Sequence, residues 1–513
     1  MAKKSTGLSS PLIPELVEGE STSLLHGSSA GEEDLVDSVF SLADEEHLTA
    51  TQLYWNFMLM CIGFSVNHGC VVSCLAYSTA ELGTELGGYG SGVLYVFYAL
   101  TALLLSKPIV GSLGPKMGLI LGCGGYCVYV CGFFAAVIFK DGPAAWILFL
   151  VSCAVGGTAG GILWTAQGKY FTKNAELYSN ALLREKRANF ARANNIKTRT
   201  GAASASPLHA PALEEGGASG EAEAAETAGE LKAATAAFAG LFATSYLGLE
   251  TLCKVSSTAI FLIFTSGPGK TIVFASYASA AFIAAVLITR LNHLRDFGSG
   301  SLTWETVKGG ALDAGALCFS DTNFALLIPY QINFGFVSTY VPFYIFGVIV
   351  NKSDSLGGNW VGCLSAIITL TGSLMALPAA WLSSKLGKAG QPVLMVFGGL
   401  CTAAAGAILF FYSNEEIGTW KVIVPLLIIY GIGRGAWENV NKAVVATLFA
   451  ERLSLVTSAF AAVSFSNGFS GSIAYFAFPS AKREDLAWTV VIASMVAIVS
   501  YLWQVRRVAN KDE

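Results

Sequence analysis

The feature that most constrains this chain is a series of long apolar runs separated by short polar breaks. A run of about 20 apolar residues can cross a bilayer as a helix, because a helix satisfies its own backbone hydrogen bonds. Only 13% of the residues are charged, whereas soluble domains average about a quarter. The pattern predicts a polytopic all-α membrane protein and excludes an ordinary soluble enzyme, a nucleic-acid binder and a disordered scaffold. The predicted spans cover residues 53–77, 92–113, 118–139, 145–169, 236–264, 271–291, 324–350, 360–382, 392–412, 422–449, 455–478 and 486–505.

The distribution of lysine and arginine predicts the orientation. Twelve passes place both termini on one side of the membrane. If that side is the cytoplasm, 22 of the 31 basic residues lie inside, six outside and three within spans. The outside residues are Lys140, Lys270, Lys352, Lys421, Lys482 and Arg483, and those within spans are Lys254, Arg434 and Lys442. We therefore expect cytoplasmic termini. Asn351 begins an Asn-Lys-Ser glycosylation sequon in a predicted outer loop, which agrees with this orientation.

The spans divide the chain into two six-helix halves joined by a linker. Residues 1–51 form an acidic tail with ten acids among the first fifty residues, and we expect it to be disordered and cytoplasmic. Residues 170–235 form a cytoplasmic loop whose Ala/Gly/Glu-rich part, 201–230, is predicted to be disordered. The remaining predicted segments are spans one to four (52–169), spans five and six (236–291), a central cytoplasmic linker (292–323), the C-terminal six-helix half (324–505) and a cytoplasmic tail (506–513).

The N-terminal tail also carries a candidate sorting signal. Glu20 is followed by three residues and then by Leu24 and Leu25, which has the form of an acidic dileucine signal. Such a signal favours an endosomal, lysosomal or vacuolar membrane over the plasma membrane. Both locations stay open, because this short pattern also occurs by chance.

Two matching segments indicate that the halves are repeats. Gly160, Trp164 and Lys169 have the same spacing as Gly433, Trp437 and Lys442, with an offset of 273 residues. The segments after spans two and eight match with an offset of 269. Nearly equal offsets predict a duplicated six-helix unit.

The second pair of segments resembles the major facilitator signature, Gly-x-x-x-Asp-Arg-x-Gly. The residues that carry this resemblance are Gly111, Lys116 and Gly118 in one half and Lys385 and Gly387 in the other. The resemblance implies gating loops at these positions. The acid of the signature, which helps to latch one gate elsewhere in that superfamily, is replaced by Pro115 and by Ser384.

A narrower resemblance lies in span four. The residues from Gly161 to Thr172, with the core Trp-Thr-Ala-Gln-Gly-Lys-Tyr, resemble the signature of the uncoordinated-ninety-three (Unc) family, and residues 431–449 resemble its tenth helix. The resemblance covers most of residues 53–505. It implies a major-facilitator fold of 12 transmembrane helices and a role as an ion-channel regulator, an orphan transporter or an escort of other membrane proteins.

Charged residues inside spans are costly, at about 2.5–3.5 kcal/mol each on insertion scales, and must pair or face a cavity. Glu250 and Lys254 lie one helical turn apart, as do Arg434 and Glu438. Each could be a self-neutralising pair that allows insertion. The second pair lies on a helix that lines the central cavity of the major facilitator fold.

Polar residues also occur on the four spans that line the pathway in that fold. They are Asn67, His68, Trp164, Gln167, Gln331, Asn333, Arg434, Glu438 and Asn441. Amides and charges from four helices predict a hydrated central site. The alternative is hydrogen bonding between packed helices. His68 could titrate near physiological pH, although packing is the more common role of a lone histidine.

The sequence contains no metal-ligand, nucleophile–base or nucleotide motif with adequate spacing, so we expect no catalysis, metal or cofactor. The first functional hypothesis is a non-catalytic regulator or escort of ion channels or other membrane proteins. The alternative is a secondary transporter that moves a small polar or ionic solute by alternating access. The expected partners are the lipid bilayer together with such a membrane protein or solute, and not nucleic acid.

Overall fold

The structure is a computed structural model, and it describes residues 48–140, 142–201, 218–264, 268–294, 303–449 and 452–512. Every regular element in these ranges is a helix, which confirms the all-α prediction. The candidate sorting residues Glu20, Leu24 and Leu25 lie outside the described part of the chain.

The N-terminal half begins with a 55-residue helix, α1, that contains the first predicted span and most of the second. Gly83 divides α1, since its φ of 84° and ψ of 168° are not helical. A similar kink at Gly114, with a φ of 80°, lies in α2 directly before Pro115. The helices of this half are α1 (Ala50–Leu104), α2 (Ser106–Ile138), α3 (Pro143–Gly201), α4 (Ala218–Ile263) and α5 (Pro268–Thr289).

The C-terminal half follows the linker helix α6 (Trp304–Ser320) and contains two π-helical segments, Val341–Val350 and Ala436–Asn441. The second segment interrupts the tenth predicted span between α13 and α14. The α-helices of this half are α7 (Thr322–Ala325), α8 (Ile328–Tyr340), α9 (Val361–Leu374), α10 (Ala376–Leu386), α11 (Gly390–Phe411), α12 (Asn414–Ile417), α13 (Trp420–Gly435), α14 (Lys442–Leu448), α15 (Leu453–Ala477) and α16 (Arg483–Asp512).

Helices occupy all twelve predicted spans. By length and composition, eight helices of the described residues could cross a membrane. Large apolar side chains point outward around the bundle, as a lipid-facing surface requires. Examples are Trp55, Ile147, Ile263, Phe282, Phe411 and Trp503. The structure is that of a multi-pass membrane protein, and the number of twelve passes stays a prediction.

The packing supports the internal repeat. In the first half, Trp164 of α3 contacts Phe64 of α1, with ring centroids 5.0 Å apart. In the second half, Trp437 stacks on Phe334 of α8 at 3.6 Å. Both members of the second pair lie about 270 residues after those of the first. The repeat therefore preserves a contact between the first and fourth helices of each half.

The two faces of the bundle can be distinguished by the chain segments that lie there. At the face that we call the terminal face, Asn174 donates to the Leu53 carbonyl oxygen at 3.0 Å, and Ser500 donates to that of Leu326 at 2.7 Å. At the opposite face, Asn351 donates to the Ala80 carbonyl oxygen at 3.0 Å. These faces define the directions used below.

Within residues 201–230, for which we predict disorder, the structure has a helix from Ala218 onward. Helix α3 continues beyond its span to Gly201, and α4 begins at Ala218. Lys186 of α3 forms an ion pair with Glu230 of α4. Alanine and glutamate are strong helix formers, and two helices that already leave the bundle need no hydrophobic core to continue. Residues 202–217 lie outside the described ranges.

Candidate functional site

The two predicted ion pairs form one cluster of charges. Lys254 Nζ lies 2.5 Å from Glu250 Oε1, and Arg434 Nη1 lies 3.6 Å from the same oxygen. Arg434 Nε lies 3.7 Å from Glu438 Oε1, and Lys442 Nζ lies 3.2 Å from Glu438 Oε2. Helix α4 belongs to the N-terminal half, whereas residues 434–442 belong to the other half. The cluster therefore connects the two halves.

Exposure increases along the cluster toward the terminal face. The exposed fractions of the side chains are 0% for Glu250, 4% for Lys254, 18% for Arg434, 25% for Glu438 and 49% for Lys442. The outer members of the cluster, Glu438 and Lys442, are therefore the accessible ones, and the inner pair is buried. Charges are less costly at such a graded site than in a dry interior, because water solvates its outer members.

The backbone at the site is irregular. Glu438 and Asn441 lie in the π-helical segment Ala436–Asn441, which continues α13 into α14. π-Helical turns inside α-helices occur frequently at functional sites. A third helix, α9, completes the inner pair. Its Thr369 hydroxyl lies 2.8 Å from Lys254 Nζ and 3.0 Å from Glu250 Oε1.

Aromatic side chains form a wall beside the charges. Trp164 contacts both His68 and Tyr246, with ring centroids 5.2 and 5.8 Å apart. The buried His68 ring lies with Nε2 3.2 Å from the Tyr246 hydroxyl, and its Nδ1 has no hydrogen-bond partner among the described residues. Lys442 Nζ lies 5.9 Å from the centroid of Trp164. The wall thus belongs to the N-terminal half and faces the outer end of the cluster.

Gln331 and Asn441 form a buried network between α8 and the π-helical segment. Gln331 Nε2 donates to Asn441 Oδ1 at 2.8 Å, and Gln331 Oε1 accepts from Trp437 Nε1 at 3.0 Å. Asn441 Nδ2 donates to Gln331 Oε1 at 3.1 Å. These amides satisfy one another. Their role in this structure is to hold α8 to the irregular part of the tenth span.

Two predicted cavity residues lie elsewhere, which corrects the expectation for them. Asn67 donates to the carbonyl oxygens of Ala281 at 3.0 Å and Cys123 at 3.2 Å, between α1, α2 and α5. Asn333 accepts from Ser494 at 2.9 Å, between α8 and α16. Both are amides that connect packed helices within one half, as the alternative interpretation proposed. Gln167 of α3 is buried.

At the opposite face, hydrogen bonds join the two halves. Helix α9 begins without a side-chain cap from its own segment. Instead, the Gly362 amide donates to the Tyr77 hydroxyl at 2.9 Å, and the Cys363 amide donates to the Thr258 hydroxyl at 2.8 Å. The first amides of a helix have no intrahelical partners. Hydroxyl groups of the N-terminal half therefore cap a helix of the C-terminal half.

The predicted gating loops make contacts within their own halves. A Cβ atom on Gly118 would lie 2.7 Å from that of Ala166 of α3, so glycine permits this close approach. The ammonium of Lys385 lies over the Trp381 ring at 4.9 Å. Gly387 has a φ of 56° and begins a short turn after α10. Gly111 and Lys116 flank the kink at Gly114 and are partly exposed.

An acid–base pair lies at the terminal face, although both loop signatures lack their acid. Arg452 Nη2 lies 2.6 Å from Asp321 Oδ2, and Asp321 Oδ1 accepts from the Phe324 amide at 3.1 Å as the N-cap of α7. The pair connects the start of the seventh span to the segment between α14 and α15. Partial burial would raise the pKa of Asp321, but the hydrogen bonds from Arg452 and Phe324 hold it below its usual range.

We expect Asp321→Asn to lower the stability of this region by about 0.5–1 kcal/mol, because asparagine keeps the cap but loses the ion pair. The folded pKa is depressed, so the contribution is present above the unfolded pKa of about 3.9 and is lost as the pH falls through the folded value. Thermal unfolding of both proteins at several pH values measures this. A difference that persists at the lowest pH would contradict it. Asp354→Asn, at an exposed position, is the control.

The predicted glycosylation of Asn351 conflicts with the packing. Its amide nitrogen, which would carry the glycan, donates to the Ala80 carbonyl oxygen. A Cβ atom on Gly358 would lie 2.8 Å from Asn351 Oδ1. Attachment would break a contact between the halves. We therefore expect Asn351→Gln and the wild type to have equal electrophoretic mobility, with no shift after glycosidase treatment of the wild type. A change of mobility after glycosidase treatment in the wild type alone would show that Asn351 is glycosylated.

Sequence reasoning missed three members of the site. Lys442 was recognised as an intramembrane base and as part of the repeat, but its spacing of four residues from Glu438 was not used. Thr369 and Tyr246 gave no signal, because single hydroxyl groups are common in membrane helices. Only the packing of α4 and α9 against α13 brings them to the charges.

A separate groove of about 610 Å³ lies on the bundle surface, away from the charges. Its lining is mostly apolar and comes from α8 and α16, and it includes Phe336 and Trp488. The groove therefore belongs to the outward, lipid-facing side. It plays no part in the central site.

Comparison with known proteins supports the fold and one stretch of sequence. Residues 79–180 match the sequence profile of a family described as ion channel regulatory protein UNC-93. This segment contains the span-four signature, and the match confirms the resemblance to the Unc family. No curated protein matches the chain in sequence.

Solved transporters share the fold at low sequence identity. The peptide transporter POT in complex with sulfate is 12% identical, with a TM-score of 0.57, and the alignment covers 90% of this chain and 94% of that one. A mutant form of the nucleoside transporter NupG is 13% identical, with a TM-score of 0.52, covering 88% and 98%. The xylose transporter XylE from E. coli, in a partially occluded inward-open form, is 12% identical, with a TM-score of 0.51, covering 88% and 95%. The chain therefore has the major-facilitator fold.

Proposed function

We propose that this protein binds a small polar or ionic solute at the central charge cluster and moves it across the membrane by alternating access. The observation that carries the proposal is the continuous set of ion pairs between α4 and residues 434–442. It joins both halves, and the exposed fraction of its side chains increases from 0% at Glu250 to 49% at Lys442. A site of this kind is exposed to one side at a time when the halves rock against each other.

The contacts of Arg434 are compatible with a movement of the two halves against each other. Its distances to Glu250 and Glu438, 3.6 and 3.7 Å, are longer than hydrogen bonds. Arg434 lies between a carboxylate of the other half and one on its own helix. Separation of the halves would break the first contact and leave the second, so the charge remains partly paired throughout the movement.

Tracer uptake into proteoliposomes tests this function. The tracers are rubidium ions and a small panel of labelled polar solutes, and the protein is the only one in the membrane. We expect uptake of at least one tracer above empty liposomes, with loss of that uptake in Glu438→Gln. Glu415→Gln, at an exposed position in α12, is the matched control and should behave as the wild type. No uptake of any tracer by folded, inserted protein would reject the transporter.

The second candidate is a non-catalytic regulator or escort of an ion channel or another membrane protein. The profile match over residues 79–180 favours it, because the matched family is described as ion channel regulatory. The sequence alone favours this role over transport. We place transport first because the charge cluster joins the two halves. A regulator needs a lipid-facing surface for its partner and does not need the charges. Loss of a co-purifying channel after substitution of exposed Phe282, with uptake absent in the wild type, would favour this candidate.

The orientation and the membrane are further proposals. The distribution of lysine and arginine supports cytoplasmic termini, so the exposed end of the cluster would face the cytoplasm. The signal at Glu20, Leu24 and Leu25 supports an endosomal, lysosomal or vacuolar membrane, and the plasma membrane is the alternative. An unchanged distribution of a tagged Leu24→Ala/Leu25→Ala protein would reject the sorting signal.

A further inference from the structure

The charge cluster has an uncompensated positive charge. It contains three cations (Lys254, Arg434 and Lys442) and two carboxylates (Glu250 and Glu438). The inner lysine is satisfied, since it contacts both Glu250 and the Thr369 hydroxyl. The excess charge therefore belongs to the outer members, which solvent can reach.

Arg434 is the cation best placed to accept a ligand. It has five N–H donors in a planar fork, and its two ion pairs are longer than hydrogen bonds. Its side chain is 18% exposed, so a solute that enters from solvent can reach these donors. A carboxylate matches this donor geometry with two parallel hydrogen bonds. Lys442, half exposed at the mouth of the site, adds a second cation on the path from solvent.

The surroundings of these cations are aromatic. Trp164 lies beneath the Lys442 ammonium and contacts His68 and Tyr246. His68 is more than nine-tenths buried, and its Nδ1 has no hydrogen-bond partner in the described ranges. The site thus offers an unused polar atom and an apolar wall next to the positive charges. An inorganic anion would use the charges but would leave the aromatic wall without a partner.

We infer that the ligand of the central site is an organic monoanion, with its carboxylate on Arg434 and its apolar body against the wall formed by Trp164 and Tyr246. This inference rests on the proposed function, because it names the class of substrate that the proposed transporter would carry. A monoanion brings the cluster to neutrality. Binding at Arg434 competes with Glu250 and Glu438, so the ligand weakens the ion pair between the halves.

A matched set of three small molecules tests this inference on the purified full chain. Benzoate is the probe, benzamide is its neutral analogue and benzylammonium is a cation of similar size. We expect calorimetry to detect benzoate binding and, at the same concentrations, no binding of the other two. Equal affinity for benzamide would mean that the aromatic wall alone binds the probe. Tighter binding of benzylammonium would mean that the site selects cations. Either result would overturn the inference.

Two substitutions with opposite expected effects separate ligand binding from a structural role. Arg434→Gln should weaken benzoate binding by about tenfold or more, the loss expected for a charge-assisted hydrogen bond. Glu438→Gln should strengthen it, because it removes a carboxylate that competes for the same guanidinium. A purely structural role would weaken binding in both. Because Arg434→Gln also removes a partner of buried Glu250, Lys442→Gln is the second variant, with a smaller expected loss.

The binding assay needs no transport, so its outcome separates this inference from the proposed function. Benzoate binding with the expected pattern of variants, but without tracer uptake, would support the ligand class and reject transport. Tracer uptake without benzoate binding would reject the ligand class and leave transport standing.

Discussion

Replacement of Lys254 by methionine is expected to cause the largest loss of stability of any single substitution at the site. Glu250 is fully buried, and Lys254 is its only ion-pair partner at hydrogen-bond distance among the described residues. Removal of one member of a buried pair leaves an uncompensated charge and costs about 3–5 kcal/mol. Folded proteins have only about 5–15 kcal/mol of stability in total. The yield of monodisperse protein and its thermal midpoint measure the effect.

The double variant Glu250→Gln/Lys254→Met is the control for this prediction. It removes both charges, and replacement of a whole buried ion pair by groups of similar size is often neutral or stabilising. We therefore expect the double variant to recover most of the lost stability. If the single and double variants are equally unstable, the loss comes from packing around Lys254, and the electrostatic explanation is wrong.

The second large effect is expected from Gly362→Ala, at the closed opposite face. A Cβ atom at this position would overlap Ser257 Oγ and the Lys254 carbonyl oxygen of α4. Overpacking of this kind costs about 1–3 kcal/mol, and about 1.4 kcal/mol changes an equilibrium tenfold. Separation of α9 from α4 relieves the overlap and also breaks the hydrogen bond to Tyr77. The substitution should therefore shift the protein toward a form open at the opposite face.

A native cysteine next to this glycine reports the opening. Cys363 is partly buried, and its amide donates to Thr258 across the same contact. We expect a membrane-impermeant maleimide to label Cys363 several-fold faster in Gly362→Ala than in the wild type, as measured by peptide mass spectrometry. Gly124→Ala is the matched control, since a Cβ atom there meets nothing within 4 Å. Equal labelling in all three proteins would show that this contact does not close the face.

The predictions for Lys254 and Gly362 concern two different properties: the stability of the folded chain and the balance between its conformations. Lys254 stabilises the folded chain whatever the state of the gate, because its partner Glu250 lies on the same helix. Gly362 acts between the halves, where the overlap of an added Cβ atom with α4 favours one state over another. Stability measurements should therefore detect the first substitution, and labelling from the opposite face should detect the second.

Patterns local in the sequence predicted much of this architecture. Apolar runs located the helices, since the bilayer requires a helix wherever a long apolar segment crosses it. The pairs Glu250–Lys254 and Arg434–Glu438 were visible as spacings of four residues, because one helical turn brings such side chains together. The equal spacing of Gly160–Trp164 and Gly433–Trp437 indicated the repeat that the packing supports.

The sequence left two alternatives open, a hydrated cavity or a contact between helices, wherever a polar side chain could face either of two directions. Asn67 and Asn333 lie on the expected helices but contact neighbouring helices, and Gln331 pairs with Asn441. The pattern of a membrane helix shows that a polar group needs a partner. It does not show whether the partner is water, a ligand or another helix, because that depends on rotation and packing.

The sequence by itself determined the helical class, the repeat and the charged residues that had to be paired inside the membrane. These follow from local composition and from the cost of unpaired polar groups in lipid. Only the tertiary structure decided that the two ion pairs form one cluster, that Thr369 and Lys442 complete it and that Tyr77 caps a helix of the other half. Those contacts join residues far apart in the chain or depend on how the halves pack. A pattern local in the sequence cannot predict them, because it contains no information about which distant helices become neighbours.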